Sequence, residues 1–497
     1  MSVIRISDLT FGYEGAAENI FENVSLDIDT DWKTGFIGRN GRGKTTFLKI
    51  LDGTLEYSGS IQSGVSFEYF PYPEPDSSGM AFDLISGISG AEDWRIYREI
   101  SLLGAREDIL FRPFDTLSMG ERTKCLIAAM FLKENSFLLI DEPTNHLDSR
   151  GRDSLAEYLR RKKGFILVSH DRAFLDRIID HVISINRSDI EIIKGNFSVW
   201  DTQRRQRDGY ELAENNRLKK DIKRLENAAA QAMKWSDRAE SKKSSVPGEL
   251  SVGRRPYYGK KAQKAAARSK AFAVRSERAA EEKSKLLKNI EKTDPLKLSQ
   301  PGFHSDILCR VVHFTLEYDP DSSGEYCRDI SFELHRGDRL RLAGGNGTGK
   351  SSLLRAIAGE DVPHRGEIYL PKGLVISRAE QDAEGLRGSL RDYADSRGID
   401  YSRFLTVLRK LDFSREKFEK PLEVLSCGER KKAAIAGSLC ENAHLLIWDE
   451  PLNFVDVLSR MQLEELILQC SPTMIFAEHD SAFGDNVATV TVYLDKN

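Results

Sequence analysis

Apolar and polar positions along the chain change their pattern twice. Up to about residue 200, short apolar, β-favouring runs such as Thr34–Ile37, Leu138–Ile140 and Phe165–Val168 alternate with helix-length segments such as Lys44–Leu51 and Gly120–Lys133. That alternation predicts an α/β domain. After Gly195–Trp200 the chain becomes polar. Asp201–Glu240 favours helix, with Leu218, Ile222 and Leu225 at helical spacing, and Lys261–Lys292 is similar, carrying Val274, Leu286, Leu287 and Ile290. Between them Ser241–Lys260 contains Pro, Gly and Ser and predicts a break. The expected arrangement is a helical hairpin with a tip loop near 241–260, in which forty helical residues would span about 60 Å. From residue 303 the strand–helix alternation returns.

The return is a repeat. GRNGRGKTT at Gly38–Thr46 recurs as GGNGTGKSS at Gly344–Ser352, LSMGE at Leu117–Glu121 as LSCGE at Leu425–Glu429, FLLIDEPTNHLD at Phe137–Asp148 as LLIWDEPLNFVD at Leu445–Asp456, and LVSHD at Leu167–Asp171 as FAEHD at Phe476–Asp480. The offsets are 306, 308, 308 and 309 residues, so order and spacing are kept through four separate motifs. Two copies of one domain, 1–200 and 303–497, are therefore expected around a different segment, 201–302.

Composition narrows the class. In 497 residues, 40 % are apolar and 30 % charged, and no stretch approaches the roughly 20 apolar residues of a membrane-spanning helix. The N-terminal MSVIRISDLTFGY has no basic segment followed by an apolar run, so no secretory signal is expected. Six scattered cysteines without a C-x-x-C pair argue against a disulfide framework, a zinc site or an iron–sulfur cluster, and fit a reducing cytoplasm. The net charge of −4 hides a strong asymmetry, because residues 201–300 carry 26 Lys+Arg against 14 Asp+Glu. A basic middle between acidic ends suggests that the middle meets a polyanion.

The repeated motifs carry phosphate chemistry. Gly38 to Thr45 and Gly344 to Ser351 each fit G-x-x-x-x-G-K-[ST], after a strand and at the start of a helix. Gly38, Asn40, Gly41 and Gly43, and in the second copy Gly344, Asn346, Gly347 and Gly349, would let backbone N–H groups curl around the phosphates of ATP. Thr46 and Ser352 complete the two motifs. Lys44 and Lys350 are expected to reach the β- and γ-phosphates, and the hydroxyls of Thr45 and Ser351 to ligate Mg²⁺. Asp141 and Asp449 end apolar strands, where the Mg²⁺ shell needs a carboxylate. Glu142 and Glu450 come next and are candidate general bases towards the attacking water. His170 and His479, about 28 residues further on, are candidates to hydrogen bond the γ-phosphate. A glycine-rich turn, a solvated Asp-Glu loop or a core histidine would each be ordinary alone; their recurrence in both copies favours a site.

Leu-Ser-x-Gly-Glu, about 20 residues before the strand that ends in Asp-Glu, resembles the signature of ATP-binding-cassette (ABC) ATPases. The resemblance implies two tandem P-loop ATPase domains in which each ATP is shared. Site one would combine Lys44, Asp141, Glu142 and His170 with Ser426 and Gly428; site two would combine Lys350, Asp449, Glu450 and His479 with Ser118 and Gly120. It also implies adenine stacking on Tyr13 and Tyr318, and a Mg²⁺-sensing glutamine at Gln381. The copies are not equal. The first offers Pro71 and no glutamine in FEYFPYP, the second has Leu452 and Phe454 where the first has Thr144 and His146, and Cys427 stands inside the second signature.

Towards the middle of the linker, residues 234–275 hold 12 Lys+Arg against three acids, interleaved with Trp235, Tyr257, Tyr258 and Phe272. Such a surface suits phosphates and unpaired bases. Tandem cassettes with a charged linker of about 100 residues and no membrane span resemble the ABC-F subfamily of ribosome-associated ATPases. That resemblance implies a cytoplasmic monomer whose cassettes close on each other, bound to the 70S ribosome, with the linker in the E site touching large-subunit rRNA and the P-site tRNA. Lys44 to Ser118 is 74 residues and Lys350 to Ser426 is 76, so no arm is inserted in the first cassette, and 18 residues lie beyond His479. This is similar to the Lsa/Vga antibiotic-resistance type, which implies ribosome protection against lincosamides, streptogramin A compounds and pleuromutilins. A housekeeping translation factor and an ATPase subunit of a transporter are the alternatives; no membrane or DNA partner is expected.

Overall fold

The computed structural model describes residues 2–15, 19–72, 79–145, 147–185, 190–244, 263–264, 267–276, 278–279, 300–317, 329–345, 347–379 and 385–494. The chain forms two compact units, one of residues 1–200 with 295–497 and one of residues 201–294.

In the first cassette, β1 (Val3–Phe11), β2 (Phe21–Asp29) and β4 (Ser58–Gln62) form an antiparallel sheet in the order β2-β1-β4. A second sheet runs β5-β6-β7-β3-β8-β9, from β5 (Ser66–Phe70), β6 (Ser136–Asp141), β7 (Phe165–Val168), β3 (Lys33–Gly38), β8 (His181–Ile185) and β9 (Ile190–Lys194). Its pairings are parallel except β8 with β9. All four residues of β7 are buried, as are the four central residues of β6, which explains their unbroken apolar runs: a parallel sheet is covered on both faces. Successive residues face opposite layers. Ile140 and Leu167 join one core cluster, and Leu139 and Ile166 join the other, with Phe47 and Leu48 of the helix Lys44–Leu51.

The second cassette repeats the plan. β10 (Ile307–Leu316), β11 (Ile330–His335) and β13 (His364–Tyr369) are ordered β11-β10-β13, all antiparallel. The parallel sheet runs β14 (Ile376–Ala379), β15 (Leu445–Asp449), β16 (Met474–Ala477), β12 (Arg339–Ala343), β17 (Val490–Tyr493). The cassettes pack on each other: Val457 and Met461 from the helix Val457–Cys470 join the core of the first cassette, and Arg172 forms a close ion pair with Glu464. Gln300, which composition assigns to the linker, belongs to this unit, donating to the Thr473 carbonyl at 3.3 Å and accepting the Thr473 N–H at 2.6 Å.

The linker opens with one helix, Phe197–Ser244, of 48 residues and so about 72 Å. It starts four residues before the expected point because Phe197 and Trp200 are buried in the first cassette's core and Asn196 accepts the Val199 N–H at 3.2 Å, a helix-starting contact. It also runs past Glu240: Ser241–Ser244, expected in the tip loop, stay helical, since Ser and Lys tolerate a helix and the strong breaker, Pro247, comes only later. The rest of the tip, 245–262, lies outside the described residues. Within this unit Ala229 and Ala232 are buried with Ala273 of the helical residues 267–276, so the chain has turned back on itself. Lys234, Trp235, Lys270, Phe272 and Arg275 are exposed. Among the described residues no helix is long and apolar enough to cross a membrane.

Candidate functional site: two clefts built from both cassettes

Three neighbouring strand ends make each site. β6, β7 and β3 lie side by side and parallel, so their C-terminal ends deliver Asp141 and Glu142, His170, and the glycine loop to one edge of the sheet. β15, β16 and β12 do the same for Asp449, Glu450, His479 and the second loop. Open α/β sheets bind ligands at this edge.

The two glycine loops have one geometry. Gly43 (φ 91°) and Gly349 (φ 94°) are left-handed immediately before the helices Lys44–Leu51 and Lys350–Ile357. A Cβ on Gly43 would come within 2.5 Å of Ile20. Lys44 Nζ donates to the Gly38 and Arg39 carbonyls at 2.7 and 3.1 Å, and Lys350 Nζ to those of Gly344 and Gly345 at 2.9 and 2.7 Å. Each ammonium thus hangs over its own loop, with helix-start amides beneath it. Thr45 Oγ1 donates to Asp141 Oδ2 at 2.7 Å, and Ser351 lies against Asp449, one of whose oxygens is buried without a hydrogen-bond partner. Hydroxyl and carboxylate oxygens of this kind fit Mg²⁺. The ring of Tyr13 is half exposed, and its hydroxyl is 3.1 Å from Thr46 Oγ1 at the loop's edge. Tyr318, Asn346 and Gln381 lie outside the described residues.

The signature serines start helices. Ser118 caps Met119–Leu132 and Ser426 caps Cys427–Cys440, each paired with the glutamate three residues on: Ser118 and Ser426 donate their N–H to Glu121 and Glu429 at 2.9 and 3.0 Å, and their hydroxyls accept the glutamate N–H at 3.3 and 3.4 Å. Leu-Ser-x-Gly-Glu therefore encodes a fixed helix N-terminus.

Each such N-terminus faces the other cassette's loop. One cleft of about 580 Å³ is lined by Asn40, Gly41, Glu142 and His170 together with Ser426, Gly428 and Phe454. The other, about 1220 Å³, is lined by Gly349, Lys350, Ser351, Glu450 and His479 together with Ser118 and Gly120. Contacts across the first cleft are direct: Asn40 Nδ2 donates to the Phe454 carbonyl at 2.8 Å, and Arg39 pairs with Asp412 at 2.7 Å. A Cβ on Gly428 would sit 2.4 Å from that carbonyl and 3.1 Å from Asn40 Nδ2. Gly428→Ala is therefore expected to wedge this cleft open, so that a hydrolysis-blocked protein loses one of its two trapped nucleotides, counted after rapid gel filtration.

The clefts share geometry but not electrostatics. Glu142 and Glu450 both stand at positive φ, 53° and 45°, a strained turn that aims the carboxylate into the cleft. In both, a glutamate Oε1 lies 3.4 Å from the histidine Nε2. Asn453 Nδ2 donates to Glu450 Oε2 at 2.6 Å, and the adjacent His479 imidazole outweighs burial to hold this carboxyl below its usual range. Neither Glu142 oxygen has a hydrogen-bond partner; burial first, then the Asp141 charge, push its carboxyl up to about 8, although Arg460 of the other cassette and Lys44 pull the opposite way. His170 is held well below the ordinary imidazole range, by burial first and then by Lys44 and Arg460 beside it, and is therefore neutral.

Sequence reasoning missed Tyr69, whose hydroxyl donates to Asp141 Oδ2 at 3.2 Å. It also missed Asn453, and the exchange of Ser169 for Glu478 beside the two histidines. Asn453 and the Ser169–Glu478 exchange were visible in the paired motifs, in residues close to those taken as chemical; Tyr69 carried no such signal.

The ABC transporter family matches residues 21–145 and 327–453, half of the chain, with one match on each cassette. The chain belongs to this family. It is an ABC ATPase, with two ATP-binding domains in tandem. It is 26 % identical to the ribosome protection protein VmlR of Bacillus subtilis (98 % of this chain, 86 % of the relative) and 26 % identical to the energy-dependent translational throttle protein EttA of Haemophilus influenzae (95 % and 88 %). The crystal structure of archaeal ribosome recycling factor aABCE1 in complex with the ribosomal stalk protein aP1 shares the fold, with a TM-score of 0.64 at 20 % identity over 99 % of this chain and 88 % of that one.

Proposed function

We propose that this ABC ATPase acts on the ribosome, with ATP as the glue between its cassettes and the linker as the element that meets RNA. The observation that carries the reading is the pairing, in one chain, of two clefts each walled by both cassettes with a basic helical linker exposing Trp235 and Phe272. The resemblance to a ribosome protection protein and to a translational throttle protein supports it.

In each cleft the lysine (Lys44 or Lys350) and the glycine-loop amides hold the phosphates of one ATP, and Ser426 or Ser118, with the helix amides behind it, closes on the γ-phosphate from the other side. Thr45 with Asp141, and Ser351 with Asp449, would hold Mg²⁺, which supplies neutralisation of phosphate charge. Glu450, and Glu142 when ionised, accept a proton from the attacking water, and His479 and His170 orient the γ-phosphate. Loss of the γ-phosphate removes the shared ligand, and the cassettes part.

The branch we propose is ribosome protection. The ATP-bound protein enters the E site of the 70S particle, residues 234–275 meet large-subunit rRNA and the P-site tRNA, and lincosamides, streptogramin A compounds or pleuromutilins leave. A Glu142→Gln/Glu450→Gln protein should sediment with bacterial 70S ribosomes with ATP and not without it; no retention despite intact ATP binding would overturn the ribosomal reading. Drug tolerance in a translation extract that is lost on deleting 245–260 supports the protection branch. Retention with no tolerance to any of these drugs favours a general translation factor, the role to which the likeness to the throttle protein points.

A further inference from the structure

The two cassettes differ at one buried pair of positions behind the histidines. Thr123 and Ser169 of the first cassette correspond to Lys431 and Glu478 of the second, at the offsets of the surrounding motifs. In the first cassette these groups are small and serve locally. Thr123 donates to the Met119 carbonyl at 2.9 Å, and Ser169 Oγ lies 3.2 Å from Thr144 Oγ1 and accepts the Asp171 N–H at 3.2 Å.

In the second cassette two buried charged groups stand at these positions. Glu478, only 5 % exposed, accepts the Leu452 N–H at 3.1 Å through Oε2, and the N–H groups of His479 and Asp480 at 2.7 and 3.2 Å through Oε1. One carboxylate thus straps the loop after β15, which carries Glu450, to the loop after β16, which carries His479. Lys431, 1 % exposed on the helix Cys427–Cys440, is a buried cation whose charge is felt together with those of Glu478, Asp449 and Glu450. Burying two charges is costly unless geometry and hydrogen bonds compensate, and a small hydroxyl pair suffices for the same fold in the first cassette. Leu452 has lost the hydroxyl with which Thr144 makes that contact, so the second cassette depends on the carboxylate to join its two loops.

We propose that Glu478 is a positioning residue for ATP hydrolysis at the second site, with the buried Lys431 as its compensating charge: the carboxylate holds His479 and the Leu452–Asn453 segment in register, and through them the Glu450 carboxylate. The first site joins its loops through the Thr144–Ser169 hydroxyl contact instead of a carboxylate, and there neither glutamate oxygen has a hydrogen-bond partner. The proposal rests on the assignment of Glu450 and His479 to this site and not on the ribosomal reading.

Steady-state ATP hydrolysis by the full chain tests it. Glu478→Gln, nearly isosteric, should lower kcat roughly 10- to 100-fold with KM for ATP changed less than about twofold, because the error lies in orientation and not in binding. Lys431→Thr/Glu478→Ser, which installs the first cassette's pair, should melt like the parent and yet keep the low kcat, while Lys431→Arg should retain most of the turnover. Parental kcat in either Glu478→Gln or the folded double variant would overturn the proposal, showing the pair to be core packing. Glu450→Gln run alongside separates the two failures: if it leaves kcat unchanged, the assignment of the second site itself is wrong.

Discussion

Glu450→Gln removes most of the steady-state ATP turnover at neutral pH and leaves only what the first site supplies, since loss of a general base costs roughly 10²- to 10⁴-fold at the site that uses it. Glu142→Gln lowers turnover far less at neutral pH. Both carboxylates sit in the same strained turn after a buried strand and at the same distance from a histidine, so the difference is one of environment. Glu450 receives Asn453 Nδ2 at 2.6 Å and is held in the ionised form. Glu142 has no such donor, and burial pushes its carboxyl up to about 8, so the protonated form dominates at pH 7. A base acts when deprotonated, so turnover left in Glu450→Gln should climb as pH rises from 7 to 9, through the raised value. Turnover left in Glu142→Gln should stay flat over that range, since Glu450 is already ionised below it. Equal losses in the two single variants, with parallel pH profiles, would show that the clefts share the work.

Neutralising the exposed cations of the linker should remove ribosome binding without touching hydrolysis. Lys234, Arg238, Lys264, Arg268, Lys270 and Arg275 are all exposed, and none belongs to either cleft. Their replacement by Gln removes up to six phosphate contacts. The slope of log affinity against log salt should therefore fall by about four, at roughly 0.7 per contact with unpaired RNA. Trp235→Ala and Phe272→Ala test the other half of the surface, with about 1–3 kcal/mol lost for each ring that stacks on a base. Unchanged salt dependence in ribosome pelleting would mean that the cations are a solvated face and that RNA is met elsewhere.

The duplicated α/β plan and the composition of both clefts were legible because their determinants are local. A parallel strand buried on two faces must be an unbroken apolar run, as β6 and β15 are, and the residues just past the end of such a strand land at the ligand edge. The glycine loops and the serine–glutamate helix starts are equally short-range. Less legible was everything set by which neighbour fills a space. Tyr69 reaches Asp141 from the adjacent strand, and nothing in FEYFPYP says that it would. Glu142 and Glu450 look identical in sequence and differ because His479 and Asn453 hold one of them ionised, while burial and the Asp141 charge push the other up. The helix Phe197–Ser244 outran the expected hairpin arm at both ends, since two buried aromatics root its start and no breaker appears before Pro247.

Phe454 has a backbone at φ 64°, its carbonyl receives Asn40 from the other cassette, and it borders both clefts, as does Asn145. A residue that walls two ligands at once cannot settle around one without changing the energy of the other. By thermodynamic reciprocity, whatever affinity the first nucleotide lends the second, the second must lend back. Where that coupling is favourable, the two ATP molecules are read as a single count, and the protein responds to the ratio of ATP to ADP more steeply than either cleft would alone.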